Sequence, residues 1–202
     1  MSQSLEKRTG RRRPASISGP VPDIGDRPGG ANVASPDLIR ALVRKAQAGD
    51  LDAFGHLYRL HHGAVFRLAR LHLPDAAEDA AQEVFLRAWQ ALRRYRDTGK
   101  PFLAWLYGIA RHVLADERAR RRREVLTSEV PERASAWVED DRLAIGQAME
   151  GLPGDQRRVL EMKFFLGMRN PEVASAIGKS TGAVNALQWR GLRALRAAWG
   201  EP

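Results

Sequence analysis

Between Phe102 and Glu124 the chain sets aromatic side chains at one end of a helical repeat and clustered guanidinium groups at the other. One rigid element of that kind can stack bases and hold phosphates. Phe102, Trp105, Leu106, Ile109, Val113 and Leu114 recur at i, i+3, i+4, i+7, i+11 and i+12, which lays them on one helical face. The other face carries Arg111, His112 and Arg118, and then the run Arg120 to Arg123. A core helix with a solvated basic tail accounts for each residue taken singly. The run of consecutive arginines points further, because like charges at i,i+3 and i,i+4 repel unless an anion sits against them.

Just before it lies a segment of opposite character. The stretch DAAEDAAQEVFLRAWQAL, Asp75–Leu92, reads as an acidic helix with Val84, Phe85, Ala88, Trp89 and Leu92 turned inward. Asp79, Gln82, Glu83 and Leu86 are left facing outward or along an edge. A polar turn, Arg96–Pro101, joins the two helices. An acidic patch on a chain this basic implies that its surfaces meet different partners.

The 33 Lys and Arg against 24 Asp and Glu give a net charge of +9, which favours a polyanionic partner. Cysteine is absent, so disulfides, thiolate zinc sites and thiol redox chemistry within this chain are excluded. No apolar run approaches the roughly 20 residues of a membrane helix. The N-terminus is basic but lacks the apolar stretch of a secretory signal. A cytoplasmic protein, without a membrane partner, is the expectation.

Residues 1–34, rich in Gly, Pro, Ser and Arg, read as a disordered basic tail. Order begins where Ser35 can cap a helix that has Pro36 at its first position. A second helix runs from about Asp50 to Leu73, with Phe54, Leu57, Tyr58, Val65, Phe66 and Leu68 as core candidates. After the arginine run, residues 125–140 are polar and acidic and read as a flexible linker. Residues 141–200 form a second helical unit. Val159, Leu160, Phe164 and Phe165 mark one of its helices, Asn170 caps a short one, and Ser180 caps a last one from Thr181 to Trp199. Short helix, glycine-containing turn and longer helix make a helix-turn-helix. The predicted fold is therefore all-α, two helical domains, residues 35–124 and 141–200.

Catalysis is the weaker reading. His56, His61, His62 and His72 share one helix near Asp50 and Asp52, but no HExxH or comparable ligand set appears, and there is no P-loop or nucleophile elbow. No metal, no cofactor and no enzymatic activity are expected.

DAAEDAAQEVFLRAW followed by GKPFLAWLYGIARHVLADERARRRR resembles the second domain of bacterial RNA polymerase sigma factors of the extracytoplasmic-function (ECF) group. LPGDQRRVLEMKFFLGMRNPEVASAIGKSTGAVNALQWRGLRAL resembles the fourth domain, in the family's order and with the short linker expected when the third is missing. The resemblance implies a factor that binds core RNA polymerase and directs promoter recognition and melting. It implies that Asp79, Gln82, Glu83 and Leu86 dock the β′ clamp helices, that the second unit meets the β flap, and that an anti-sigma factor is a candidate partner. By the same resemblance Arg96, Asp97, Thr98 and Lys100 capture a flipped base of the −10 element, and Phe102, Trp105, Arg111, His112 and Arg118 face the opening duplex. Ser180, Thr181, Asn185, Gln188, Trp189, Arg190 and Arg193 meet the −35 element. Gln188 or Asn185 could read an adenine edge there. Many relatives carry a basic residue and a serine after the valine of the recognition helix, where this chain has Asn185-Ala186-Leu187 after Val184. Trp189 fits the core and the DNA face equally. A stand-alone helix-turn-helix regulator shares the charge and the second unit but leaves Asp79, Gln82 and Glu83 unexplained.

Overall fold

The structure is a computed structural model, and it describes residues 34–127 and 137–198. The tail assigned to 1–34 thus lies almost wholly outside the described residues. Every regular element among the described residues is helical.

Helix α1, Pro36–Gln47, starts where the Ser35 hydroxyl accepts from the Leu38 amide at 3.2 Å. It ends before Gly49, whose φ of 97° reverses the chain at no cost in Cβ clash. Asp50 then accepts from the Ala53 amide at 2.9 Å and caps α2, Leu51–His72. Pro74 opens a single 3-10 turn, Pro74–Ala76, so α3 is Ala77–Leu92, shorter at its start than expected. Helix α4 is Phe102–Thr127.

These four helices bury Leu57, Leu68, Val84, Leu92 and Leu106 completely. An aromatic seam holds them, with Phe54 against Trp89 at 4.9 Å and Tyr58 against Phe85 at 4.7 Å. The Gln47 side chain donates to the carbonyls of Leu92 and Tyr95 at 3.1 and 2.8 Å, and so satisfies the open end of α3 from α1.

The second unit comprises α5, Trp137–Glu150, α6, Gly154–Leu160, a π-turn at Glu161–Phe165, α7, Asn170–Ile177, and α8, Thr181–Ala198. Helices α4 and α5 take residues from both ends of the expected linker. Its middle, 128–136, lies outside the described residues. Phe164, expected in the core, is 38% exposed, because the π-turn rotates it off the buried stripe. Asn170 is the first residue of α7 and not its cap; Arg169 stands at that position, its amide donating to Glu172 at 2.7 Å.

The two units pack directly on one another. Val159, Met162, Leu166, Met168 and Val173 join the same apolar core as α2, α3 and α4. A Cβ on Gly146 of α5 would lie 2.8 Å from the Leu71 carbonyl oxygen of α2, so only glycine permits this approach. Between them sits Glu161, 3% exposed and the one buried charged residue among those described. Its carboxylate accepts from Tyr107 of α4 at 2.5 Å and lies 2.9 Å from His72 Nε2 of α2. Burial pushes this carboxyl up, but the hydrogen bonds from His72 and Tyr107 outweigh it and hold the group below the usual range. Burial also raises the Tyr107 phenol, so it remains a donor at neutral pH.

Removing the carboxylate strands both partners in the interface. Glu161→Ala is expected to cost about 3–5 kcal/mol, and Tyr107→Phe, which leaves the His72 contact in place, about 1–3 kcal/mol. Urea denaturation measures both; equal, sub-kcal losses would contradict the buried pairing. A second expectation concerns His61, whose Nε2 is buried without a partner and whose pKa burial lowers from 6.5 to about 4. Between those values the unfolded chain holds a proton that the folded one does not, so stability falls as pH drops through the window. The loss reaches about 3 kcal/mol. In denaturation series across this range, His61→Phe should flatten the slope, and an unchanged slope would refute the assignment.

Candidate nucleic-acid interface

Helix α3 turns Asp79, Gln82 and Leu86 to solvent on one face, with Leu86 52% exposed. Among the described residues Asp79 has no ion-pair partner. Glu83 is half-exposed and accepts from Arg87 at 2.7 Å, while Arg87 also reaches Asp116 of α4 at 2.8 Å. Of the acids expected to face outward, Glu83 is therefore also tied to the bundle.

The turn before α4 is shaped from within. Asp97 accepts from the Gly99 amide at 2.9 Å, where φ is 77°, and lies 3.2 Å from Arg40. Arg96 and Thr98 stand exposed beside it. Lys100 is exposed too, but its ammonium donates to the Ala176 carbonyl of α7 at 3.3 Å. Phe102 departs from its expected role: it is 5% exposed, its ring against Tyr95 at 5.5 Å and Trp105 at 5.2 Å. It is a core residue, because the first turn of α4 buries the side facing α2 and α3. Trp105 is half-buried, 4.9 Å from Tyr95, with part of its ring left at the surface.

Further along α4, Arg111 and His112 are exposed, Arg111 lying 6.0 Å from the Tyr107 ring. Arg118 pairs with Glu150 of α5. An open cavity of about 280 Å³ remains where α4 meets α6 and α7, lined by Arg111, His112 and Arg158 among others. The second unit thus lies across part of the α4 face that carries the expected DNA contacts.

The arginine run does not wait for an external anion. Glu117 binds Arg120 at 2.7 Å and Arg121 at 2.9 Å, and Arg120 reaches Glu124 at 3.1 Å. Hydrogen bonds from Arg120 and Arg121 hold the Glu117 carboxyl at about 2. The sequence carries this signal in the i,i+3 and i,i+4 spacing of Glu117 from the arginines.

On α8, the Ser180 hydroxyl accepts from the Ala183 amide at 3.2 Å and caps the helix. Thr181, Asn185, Trp189, Arg190 and Arg193 are exposed and Gln188 is half-buried. Trp189 resolves in favour of the surface: it is 60% exposed with the Arg193 guanidinium 5.3 Å over its ring. Behind it, a Cβ on Gly191 would meet Leu160 at 3.0 Å, so α8 seats closely on α6 and turns its polar side out. Sequence reasoning passed over Tyr107, Glu161 and Lys163. Lys163 donates to the Asn170 side chain at 2.8 Å, and Asn170 donates to Asn185.

Residues 57–124 match the Sigma-70 region 2 family, and residues 142–195 match Sigma-70, region 4. The ECF RNA polymerase sigma factor SigD of Mycobacterium tuberculosis is 38% identical over 176 residues, spanning 79% of this chain and 83% of SigD. The ECF RNA polymerase sigma factor BldN of Streptomyces coelicolor is 36% identical, over 76% of this chain and 63% of BldN. Among solved structures, CnrH in complex with the cytosolic domain of CnrY superposes with a TM-score of 0.60 at 28% identity, covering 80% of this chain and 96% of that one.

The internal pairing of the arginines has a measurable consequence. Glu117→Gln frees Arg121 for phosphate while Arg120 keeps Glu124, so the slope of log affinity against log salt for duplex DNA should steepen by about 1. Fluorescence anisotropy across a salt series measures it, and an unchanged slope would show that Arg121 does not meet DNA.

Proposed function

This chain belongs to the ECF RNA polymerase sigma factors, and from that premise we propose how its surfaces divide the work of transcription initiation. It binds core RNA polymerase and directs promoter recognition and melting. The observation that carries this reading is the pair of sigma-family matches in chain order, 57–124 and 142–195. A stand-alone regulator accounts for the second match only.

We assign polymerase docking to the exposed face of α3. Asp79, Gln82 and Leu86 present an acidic and apolar patch on a chain of net charge +9, suited to a basic partner helix on the β′ clamp. Glu83 joins it once Arg87 turns aside. The second unit is assigned to the β flap. The turn Arg96, Asp97, Thr98 and Lys100, with Trp105, Arg111, His112 and Arg118, is assigned to the −10 element. Melting there needs no bond-making residue, only tighter binding of an unpaired base than of a paired one, against an extrusion cost of a few kcal/mol. In that sense the chain is a binding protein and not an enzyme. Ser180, Thr181, Asn185, Gln188, Trp189, Arg190 and Arg193 of α8 are assigned to the −35 element in the major groove.

The contacts of Lys100, Tyr107 and Arg118 with the second unit are compatible with the free protein but not with a −10 face fully given over to DNA. Promoter engagement accordingly separates the two units. CnrH is solved in complex with the cytosolic domain of CnrY; by likeness to it we assign this chain a further protein partner, an anti-sigma factor. No helix among the described residues is long and apolar enough to cross a membrane. Action with the polymerase assigns the chain to the cytoplasm.

Run-off transcription with core polymerase tests the whole reading, and its absence on every promoter offered would remove it. Asp79→Arg should weaken core binding by a few kcal/mol, since like charge then faces like charge, while circular dichroism stays unchanged. Undiminished affinity would return Asp79 to an idle solvated face. A promoter premelted over the −10 element separates the two DNA-facing units. It should rescue Arg96→Ala with Lys100→Ala, but not Arg190→Ala, whose loss on duplex is about 1–3 kcal/mol. Rescue of both, or of neither, would refute the division.

A further inference from the structure

One chain of hydrogen bonds ends on the −35 face and has a fixed direction. Lys163, in the π-turn, donates from Nζ to Asn170 Oδ1 at 2.8 Å. Asn170, at the start of α7, then donates from Nδ2 to Asn185 Oδ1 at 2.5 Å. Lys163 and Asn170 are half-buried, and Asn185 is exposed on the second turn of α8. A lysine ammonium has donors and no acceptor, whereas an asparagine side chain has one group of each kind. Asn170 must therefore turn its oxygen to the lysine and its amide nitrogen to Asn185. Asn185 must in turn meet that nitrogen with its own oxygen. Flipping Asn185 would set two NH2 groups against each other, and flipping both would set an NH2 group against the ammonium. The orientation of both amides is thus dictated by the charge at Lys163 and does not rest on telling oxygen from nitrogen.

We propose that Lys163 and Asn170 are positioning residues that orient Asn185 as a donor-only reader of the −35 element, selecting guanine over adenine at the base it faces. The proposal rests on the assignment of α8 to the major groove. With its oxygen occupied, Asn185 offers the two hydrogens of Nδ2. Guanine presents two acceptors, N7 and O6, to the major groove and satisfies both. Adenine presents one acceptor and one donor, N7 and the N6 amine, and its bidentate pairing with asparagine requires Oδ1 to face the base edge, whereas here that oxygen is turned to Asn170 with only its second lone pair left over. The adenine contact considered for Asn185 from the sequence alone is therefore disfavoured. Placing the donors of a short side chain through half-buried neighbours also offsets the scarcity of positive charge in the first turns of α8.

The test uses the full-length chain assembled with core polymerase and a promoter library randomised through the −35 element, with bound molecules sequenced. The wild type should enrich guanine at one position, and Asn185→Ala should flatten that position while leaving the others selected. Asn170→Asp is the decisive variant. An aspartate keeps the lysine contact yet offers Asn185 an oxygen, so Asn185 turns its NH2 inward and its own oxygen outward. Preference at that one position should shift by about tenfold towards cytosine or adenine, whose exocyclic amines donate. Lys163→Met should broaden the same position. If wild type and Asn170→Asp select the same base there, or if the position lost in Asn185→Ala is adenine, the relay does not set specificity. A wild type that selects no −35 sequence at all would instead remove the assignment of α8 itself, and the proposal with it.

Discussion

A carboxylate can be buried only if hydrogen bonds replace the water it loses, and Glu161 imposes that condition on the junction of the two units. Its partners come from α2 and α4, so the π-turn that carries it must lie against both helices at once. Other features of the junction fit that demand. Glycine stands at 146 where α5 crosses the Leu71 carbonyl. Arg67 of α2 donates to the Phe165 carbonyl at 3.1 Å, closing the far side of the turn. Because breaking a buried pair from one side costs several kcal/mol, the arrangement is specific. It is not correspondingly tight, since once the units part, water satisfies all three groups.

That distinction suits the separation of the two units proposed above. An interface of purely apolar side chains would hold the units together by area alone and leave a greasy surface on opening. Here the junction mixes the apolar contact of Val159, Met162, Leu166, Met168 and Val173 with polar groups that are compatible with solvent. The same contacts lie across the turn that bears Lys100 and the face of α4 that bears Tyr107 and Arg118. On the assignment proposed above, promoter DNA competes with the second unit for that surface, and its binding energy can drive the separation.

Charge is managed locally throughout. The net charge of +9 attracts DNA at long range, but Arg120 and Arg121 are held by Glu117, and Arg87 by Glu83 and Asp116. Exposed pairs of this kind contribute little to stability. They hold the arginines along the helix surface, where a phosphate could take the carboxylate's place. On α8 the solution differs: few cations occupy its first turns, and a lysine outside the helix acts through two asparagines.

Much of this was legible in the chain itself. The i,i+3,i+4 recurrence of apolar residues determined the helices, and Ser35 and Ser180 determined where two of them begin, because capping and amphipathicity act over a few residues. Asp79, Gln82 and Leu86 could be assigned to the surface by the same periodicity, and two stretches in order carried the family. Tertiary structure alone decided the rest. Trp189, equally suited to core and surface, faces solvent because Gly191 seats the opposite side of α8 on Leu160. Phe102 and Trp105 share an apolar stripe, yet only Phe102 is fully enclosed, since Trp105 lies with Ile109 along an edge of that stripe that the neighbouring helices cover only in part. Glu161 gave no local sign of burial, because its partners lie 89 and 54 residues away. Periodicity says which side of a helix avoids water; which groups meet on that side depends on contacts between segments far apart in the chain, and these exist only once it has folded.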